Sequence, residues 1–553
     1  MKQYTNIFLS LLVTLALFTS CESLLDVEPE EVLLEEDYLG DDKLDARSAL
    51  FGVLSQMQDI VGQYVALGEM RADLVDVTPD TEDDLRQINA HNITADNSYV
   101  DPSILFSIIN NCNFALKGMD IEAYDGVLED DYASIMRIRT WAQMQILIHY
   151  GKLPYITKPI ATTDHLKEEY PLLTFSEGID QLILNLESVT GIENVTKYES
   201  SLGYNIFNMI PDNDVLLGDL YLWKKNYVSA AIHYKAFLDK NVDGGASLYN
   251  LAAYTVNTTL SGGKYSTTTS WPSIFSLELP ASQEIINYVA FSDQYRQPNG
   301  GFDIITKQMK PSALILQNWL SQKKSFEGVP YDSELPQFPG DNRLLGSVTG
   351  TVGVINFSWT EETARIYKYN YEYFTWNRAA RIYLRFAEAI NFAGYPQQAL
   401  AIVNGIFNTT EPANAAPLFT NVEPYLNFPI GEYYTANSSG VPTAGNQGIR
   451  GRVDMAAVSV DPNLSEMDAI EAVGQLILNE AALELAFEGT RWEDLLRFSM
   501  RNNNPSILAD AVASKFGTVG DVATANQVQQ KLMNPDNWFL PLTIPENFVP
   551  KNN

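Results

Sequence analysis

The sequence predicts a mainly α-helical protein in which paired helices form a scaffold and long loop-rich insertions interrupt it. Three observations predict this fold class. Apolar residues recur three and four positions apart over several long segments, as the buried face of a helix requires. Two separate segments repeat one spacing of small and bulky residues, and the stretches between them are rich in Gly, Ser, Thr and Pro.

The helical pattern is strongest in the first third of the chain. The segment "DKLDARSALFGVLSQMQDIVGQYVALGEMRADL" has the apolar spacing of an amphipathic helix. The segment "YASIMRIRTWAQMQILIHYGKLPYITKPI" repeats it and reaches Gly151, with Pro154 shortly after. Gly followed by Pro is the usual end of a helix, so the sequence predicts that this helix ends near residue 151.

Two later segments share a finer pattern that predicts tetratricopeptide-type helix pairs. Their matching positions are Leu217, Gly218, Tyr221, Ala230, Tyr234 and Phe237 in one segment, and Phe386, Ala387, Ile390, Ala399, Val403 and Ile406 in the other. Small residues allow the two helices of such a pair to approach, and bulky ones fill the groove between them. More than a hundred residues separate the segments, which excludes a tandem solenoid. A plain antiparallel helix pair remains the alternative.

The N-terminal residues have the composition of an export signal followed by a cysteine. The apolar run Ile7 to Phe18 spans roughly 18 Å as a helix, too short for a hydrocarbon core of about 30 Å. Small residues then precede Cys21, as they do at a bacterial lipoprotein cleavage site. We expect cleavage before Cys21 and lipidation of its thiol; the alternative is ordinary cleavage that leaves a free Cys21.

The composition excludes several classes of protein. Asp and Glu number 69 against 36 Lys and Arg, and the formal charge of −33 argues against binding to nucleic acid or to an anionic membrane surface. The 2 cysteines, Cys21 and Cys112, give no disulfide framework if Cys21 carries lipid. Cys112 lies in an apolar helical pattern, which predicts a packing role.

Catalytic and metal-binding motifs are mostly missing. The 4 histidines are scattered, and the sequence has no HExxH, GxSxG or EF-hand pattern. We therefore expect no metal site, no cofactor and no enzymatic activity. A glycosidase is harder to exclude, because its two carboxylates are related in space rather than in sequence. The densest acidic stretch, "DLVDVTPDTEDD" (73–84), predicts a solvated loop, with a cation site as the alternative.

Aromatic residues in the loop-rich parts are candidates for ligand contact. We selected those outside the clearest helical patterns, together with one neighbouring cation: Tyr99, Trp271, Tyr295, Arg296, Trp319 and Trp359. Flat aromatic faces stack on sugar rings, and polar neighbours bond the hydroxyls. Packing inside the protein is the alternative for each of these aromatic side chains.

Several segments, in order along nearly the whole chain, resemble the SusD/RagB family. They are "CESLLDVEPEE", "FSIINNCNFAL", "RTWAQMQILIHYGKLPYITKPI", "RIYLRFAEAINFAGYPQQALAIVN", "ELAFEGTRWEDLLRFSMRNN" and "WFLPLTIPENF". The most specific is "FEGTRWEDLLRF" (487–498) read with the closing "WFLPLTIPENF". Within it, Glu488, Arg491 and Trp492 are interpreted as scaffold residues.

The resemblance implies a surface-exposed outer-membrane lipoprotein, anchored through lipid on Cys21. Such a protein is not an enzyme; it captures oligosaccharides and delivers them to a SusC-type TonB-dependent transporter. Tyr99 lies where sugar-binding relatives often place an aromatic residue. Capture of peptides is the alternative within the family, and a surface glycoside hydrolase is the alternative outside it.

The resemblance also implies a domain organisation. Residues 1–20 are expected to be the signal peptide, 21–42 the lipidated cysteine with an acidic tether, and 43–553 a single domain. The helical scaffold is expected over about 43–240, 376–408 and 468–500, and the loop-rich insertions that carry the ligand face over about 245–375 and 409–465.

Overall fold

The fold was analysed in a computed structural model of the chain. It describes residues 43–119, 126–195, 205–240, 251, 256–261, 264–269, 271, 273–276, 284–323, 340–348, 364–369, 371–405, 416–419, 422–428, 434–436, 442–445, 448–453 and 455–551. The predicted signal peptide, Cys21, the acidic tether and Trp359 lie outside these residues. None of the helices in the described ranges has the length and apolar character needed to cross a bilayer.

The described part of the chain is predominantly helical. Its α-helices are α1 (Lys43–Asp59), α2 (Val61–Val65), α3 (Asp83–Asn89), α4 (Ser103–Gly118), α5 (Glu129–Tyr150), α6 (Phe175–Glu187), α7 (Asn213–Trp223), α8 (Tyr227–Leu238), α9 (Ser273–Ser276), α10 (Gly300–Asp303), α11 (Ala313–Leu320), α12 (Asn342–Ser347), α13 (Ala379–Phe392), α14 (Pro396–Asn404), α15 (Glu466–Glu484), α16 (Arg491–Asn502), α17 (Ser506–Thr518) and α18 (Val522–Leu532). Two π-helical turns, Ala66–Met70 and Ile304–Gln308, extend α2 and α10. The predicted helical fold class is confirmed.

Short strands join the helices in small sheets. They are β1 (Val75–Val77), β2 (Lys152–Pro154), β3 (Tyr170–Thr174), β4 (Val256–Ser261), β5 (Lys264–Thr269), β6 (Ile285–Ala290), β7 (Met309–Pro311), β8 (Tyr373–Arg378), β9 (Tyr434–Ala436), β10 (Pro442–Gly445) and β11 (Phe548–Pro550). The pairs β1–β7, β4–β5, β6–β8 and β9–β10 are antiparallel. In the remaining sheet, β3 pairs with β2 antiparallel and with β11 parallel.

Local sequence signals account for several helix ends. Helix α5 ends where the sequence predicts, because Gly151 adopts a left-handed conformation with φ of 76°. Helix α6 begins with a capping box: the Thr174 hydroxyl accepts from the Glu177 backbone N–H, and the Glu177 carboxylate accepts from the Thr174 N–H at 2.8 Å. Each cap satisfies a backbone group that the helix itself leaves unpaired.

The two segments with matching spacing form helix pairs that pack against each other. Helices α7 and α8 form one pair, α13 and α14 form the other, and α8 lies against α13. A side chain added at Gly218 would come within 2.5 Å of the Tyr234 ring. Gly218 therefore sets the close approach of α7 to α8, as the spacing predicts. Units distant in sequence thus share one hydrophobic cluster that includes α8, α13, α14 and part of α15.

Buried ion pairs join the insertions to the scaffold. Arg343, Arg378 and Arg452 come from three separate segments and meet the carboxylate of Glu484 at the end of α15. Burial alone would raise the pKa of Glu484, but the three guanidinium groups hold that pKa far below its ordinary value. The cluster fixes where the insertions sit on the helices.

The residues interpreted as scaffold in "FEGTRW" make long-range contacts of the same kind. The Glu488 carboxylate accepts from Lys368 at 2.7 Å and from Arg378 at 2.9 Å. The ring of Trp492 is buried, with the Arg71 guanidinium 3.8 Å from its centroid. Cys112 is a buried free thiol whose pKa burial raises to about 12, so packing is its role, as predicted.

Candidate functional site

A rigid turn presents Tyr295 to solvent. Ser292 and Gln297 exchange two backbone hydrogen bonds of 2.9 Å, which close the turn between them. Arg296 adopts a left-handed conformation with φ of 57° and ψ of 40°, unusual for a residue with a side chain. The side chain of Tyr295 is 55% exposed. A large aromatic ring is thus held outside the core by a strained backbone, an arrangement that is common at functional sites.

Tyr371 braces this turn from the neighbouring segment. Its hydroxyl donates to the Asp293 carboxylate at 2.5 Å, and this bond raises the pKa of Tyr371. Its backbone carbonyl accepts from the Asn299 side chain at 2.9 Å. The ring of Phe302 packs edge-on against the Tyr371 ring, with 5.5 Å between centroids. Tyr371 therefore holds the turn at Asp293, on its N-terminal side, and at Asn299, which follows it.

Tyr99 lies in a second short turn, Ser98–Val100, which Asn97 caps by accepting from the Tyr99 backbone N–H. Its ring is half-buried and its hydroxyl donates to the exposed carboxylate of Glu82. Burial, and then this bond to Glu82, raise the pKa of Tyr99. The hydroxyl hydrogen is therefore already used in the bond to Glu82, and the hydroxyl oxygen can still accept a hydrogen bond from a ligand.

One helical segment connects the two tyrosines. The backbone N–H of Glu82 donates to the Gln308 side chain at 3.0 Å, and Gln308 ends the π-helical turn that follows α10. Phe302, in α10, is the residue that packs on Tyr371. Six residues of helix correspond to a rise of roughly 9 Å. The same short element is therefore contacted at one end by Glu82, the partner of Tyr99, and at the other by Tyr371, which braces the Tyr295 turn. We call Glu82, Tyr99, Tyr295, Arg296 and Tyr371 the candidate face.

The candidate face has unused hydrogen-bonding groups. The Tyr295 hydroxyl and the Arg296 guanidinium make no hydrogen bond or ion pair with any other residue that the structure describes. The π-helical turn beneath the face is itself a feature often found at functional sites. No group of three or more His, Cys, Asp or Glu that could hold a metal occurs within the described ranges. The face can therefore stack on a flat ring and exchange hydrogen bonds with hydroxyl groups.

Two of the predicted aromatic residues are core residues instead. Trp271 is 1% exposed and its indole N–H donates to the Ser347 hydroxyl at 3.0 Å. Trp319 is 0% exposed, and its indole N–H donates to the Leu483 carbonyl at 3.2 Å. Because each ring is covered by protein and each N–H has a partner, neither tryptophan can stack on a ligand in this structure. This corrects the expectation that both contact the ligand. Trp359 lies outside the described residues.

Sequence reasoning did not select Glu82 or Tyr371. Glu82 belongs to the acidic stretch 73–84, which was expected to be a solvated loop, and Asp84 in that stretch accepts from Ser98 at 2.8 Å. The stretch therefore positions the Tyr99 turn. Tyr371 belongs to "YKYNYEYF", where tyrosines alternate with other residues. Such alternation is typical of a strand, and it was the available signal for strand β8 and for the residues that lead into it.

An apolar cleft of about 750 Å³ lies beside the Tyr99 turn. Its walls come from the start of α4, from residues 154–166 and from residues 541–548. Phe106, Ile160, Leu166, Leu542 and Phe548 are among the residues that line it. We call this the apolar cleft.

Polar side chains in the apolar cleft are largely used to hold its walls. Asn110 bonds both the N–H and the carbonyl of Ile160, at 2.7 and 3.2 Å. Asn113 donates to the Ile156 carbonyl at 3.1 Å. The surface left for a ligand is therefore mainly apolar.

Comparison with known proteins finds similar sequences and solved structures with the same fold. The family model described as the SusD family matches residues 443–552. A SusD-like protein of Formosa agariphila, P38, is 22% identical over 541 residues, which cover 90% of this chain and 92% of the relative. Both matches support the resemblance to the SusD/RagB family that the sequence indicates.

Solved structures share the fold of this protein. A SusD superfamily protein of Bacteroides vulgatus superposes with a TM-score of 0.60 at 14% identity, covering 90% of this chain and 95% of its own. A SusD-like carbohydrate-binding protein of Bacteroides fragilis superposes with a TM-score of 0.53 at 13% identity, covering 84% and 87%. The family resemblance expected from the sequence is confirmed, and at these identities the structures establish the fold alone.

Proposed function

We propose that this chain is a SusD/RagB family protein, and that it captures oligosaccharides at the candidate face without catalysis and passes them to a SusC-type TonB-dependent transporter. The exposed ring of Tyr295 on its rigid turn is the observation that carries the proposal. An exposed aromatic ring can stack on a sugar face, and because hydrogen bonds already fix the backbone of its turn, binding there costs little further backbone entropy.

The polar groups of the candidate face suit sugar hydroxyls. The carboxylate of Glu82 accepts hydrogen bonds, and the guanidinium of Arg296 donates them. Hydrogen bonds to charged groups are roughly twice as strong as those between neutral groups. The carbohydrate-binding relative of Bacteroides fragilis has the same fold, which supports the proposal.

The proposal places the protein on the outer membrane, anchored through lipid on Cys21. Cys21 follows the export-signal pattern, and the acidic residues 22–42 would separate the anchor from α1. A single acyl chain binds membranes only marginally, so stable attachment requires the several chains of a bacterial lipid anchor.

Cys21→Ala should move the protein from the membrane fraction to the soluble periplasmic fraction. Retention of Cys21→Ala in the membrane fraction would contradict the anchor.

Tyr295→Ala tests the binding site. Against a panel of neutral oligosaccharides, we expect the wild-type protein to bind at least one with a measurable Kd by calorimetry. Removing the ring should weaken that affinity about 30-fold or more, as loss of a central aromatic contact does. Tyr367→Ala is the matched control, because Tyr367 is similarly exposed and lies outside the candidate face. Equal affinity in the wild-type protein and Tyr295→Ala would reject the site, and turnover of the sugar into shorter products would indicate a glycosidase.

Peptide capture is the second candidate, and the apolar cleft favours it. A volume of about 750 Å³ is within the usual range for small-ligand sites, and its mainly apolar lining suits aliphatic or aromatic side chains better than sugar hydroxyls. Leu166→Asp introduces a charge at an exposed position of the cleft. Peptide binding that is lost in Leu166→Asp and retained in Tyr295→Ala would establish this alternative.

A further inference from the structure

A second concave site lies between four helices and shares no residue with the candidate face or the apolar cleft. It is a groove of about 520 Å³ lined by residues of α11, α15, α16 and α17. Side-chain amides project from its walls, and no aromatic residue is among the described residues that line it. We call it the amide groove.

A buried ion pair forms part of the floor of the amide groove. Arg491 donates to both oxygens of the Asp73 carboxylate, at 2.7 and 2.8 Å, and to the Leu478 carbonyl at 3.0 Å. Both side chains are more than nine-tenths buried. A guanidinium has five N–H groups, and two of those of Arg491 have no acceptor among the described residues. The floor therefore offers hydrogen-bond donors, and the charges of Arg491 and Asp73 offset each other. Asp510 in α17 also lines the groove, and its carboxylate accepts from the Gln529 side chain at 2.8 Å.

The walls add unused amide groups from different elements. The Asn318 side chain makes no hydrogen bond with another described residue. Asn479 accepts from Gln475 at 2.9 Å, and Asn504 accepts from the Ser506 backbone at 3.1 Å. Both acceptor bonds orient the amide while leaving its two N–H groups unbonded to described residues. Donors and acceptors from α11, α15 and the start of α17 thus surround one concave space.

We propose that the amide groove binds a neutral polyhydroxy compound, of the size of one or two sugar units, through hydroxyl hydrogen bonds rather than ring stacking. Amides both donate and accept, as sugar hydroxyls do. The Asp73–Arg491 pair is already neutralised, so the floor does not select an ion. Its volume lies in the range of small-ligand sites. The groove would give the protein a second contact with a glycan, independent of Tyr295.

The experiment measures sugar binding when the candidate face has been disabled. In Tyr295→Ala protein, D-glucose, D-galactose, D-xylose and cellobiose are titrated, with saturation-transfer NMR as the readout. We expect weak saturable binding of at least one of these sugars. The double variant Asn318→Leu/Asn479→Leu, made in the same background, should weaken it at least tenfold, because apolar side chains replace the amides of two walls.

Asn526→Leu is the matched control, since Asn526 is an exposed helical asparagine outside the groove. Thermal unfolding midpoints of all variants establish that each is folded. Absence of binding by any sugar in Tyr295→Ala protein would overturn the proposal, as would unchanged affinity in the double variant. The candidate face is judged separately, from the difference between the wild-type protein and Tyr295→Ala.

Discussion

The turn that carries Tyr295 and the interior that holds Trp271 begin from similar sequence and end in opposite environments. Each aromatic residue lies in a polar, loop-rich stretch without helical spacing. Two guanidinium groups lie near the Trp271 ring, with Arg378 5.5 Å and Arg452 5.3 Å from its centroid. Among the described residues no guanidinium group lies over the Tyr295 ring, which remains exposed. The two aromatic residues therefore differ in their contacts with segments that are distant in the sequence.

The interior around Trp271 and the turn that carries Tyr295 are also stabilised by different interactions. The interior around Trp271 depends on buried charges that pair with each other, and removing one partner would leave the others uncompensated. The turn depends on backbone hydrogen bonds and one tyrosine brace, all close to solvent. We therefore expect substitutions in the interior to change stability, and substitutions in the turn to change binding.

Glu484→Gln is expected to have the largest effect. It removes the charge that pairs with Arg343, Arg378 and Arg452, all of them buried. Each guanidinium keeps another carboxylate partner, but the buried cluster loses one negative charge. Removing one partner from a buried ion pair costs about 3–5 kcal/mol, so the free energy of unfolding in urea should fall by that amount. Glu466→Gln, at the exposed start of the same helix, is the control and should leave the unfolding midpoint nearly unchanged. A stable Glu484→Gln protein would show that the ion cluster does not hold the insertions.

Glu69→Gln tests a buried carboxyl that lacks an ion pair among the described residues. Glu69 accepts one hydrogen bond, from the Gly489 N–H at 2.7 Å, and burial raises its pKa from 4.5 to about 8. Since the folded pKa exceeds the unfolded value, its contribution to stability is fully present below about pH 4.5. That contribution is lost as pH rises to about 8.

Glutamine cannot ionise and keeps an acceptor for Gly489, so Glu69→Gln should gain stability over the wild-type protein as pH rises from 5 to 9. The gain should reach a few kcal/mol, because each unit of pKa shift corresponds to about 1.4 kcal/mol. Urea unfolding at a series of pH values measures it. Parallel pH profiles for the two proteins would mean that Glu69 is ionised in the folded protein.

The sequence predicted the helical fold because its signals are local. Gly151 ends α5, and the small residue Gly218 sets a helix contact that the spacing alone indicates. The sequence could not distinguish the buried Trp271 from the exposed Tyr295, because the contacts of Trp271 include residues far away in the chain: Ser347 is 76 positions away, and Arg378 and Arg452 are farther. Tyr371 was missed for the same reason, since its contact with Asp293 spans 78 positions.

Tyr371→Phe is expected to weaken glycan binding without removing any proposed stacking surface. The variant keeps the ring against Phe302 and loses the short hydrogen bond to Asp293, together with the longer one that the hydroxyl accepts from the Asn299 N–H at 3.3 Å. A looser turn should reduce the affinity about threefold to tenfold, the effect of one hydrogen bond. Calorimetry with the sugar that the wild-type protein binds measures the change. Tyr425→Phe, outside the candidate face, is the control, and an unchanged affinity in Tyr371→Phe would mean that the turn needs no brace.

The smallest effect on affinity is expected from the backbone conformation of Arg296. Two substitutions distinguish the contribution of this conformation from that of the guanidinium charge. Arg296→Gly and Arg296→Val both remove the guanidinium, so any contact that it makes with a ligand is lost equally. Glycine adopts the left-handed conformation freely, whereas a β-branched residue there is a steric outlier. The left-handed conformation costs a residue with a side chain about 1–2 kcal/mol, so Arg296→Val should bind up to about tenfold more weakly than Arg296→Gly. Calorimetry on the pair gives the ratio directly. Equal affinities would show that the turn can rearrange without moving Tyr295. The contacts of Tyr371 with Asp293 and Asn299 would then be what fixes the position of the exposed ring.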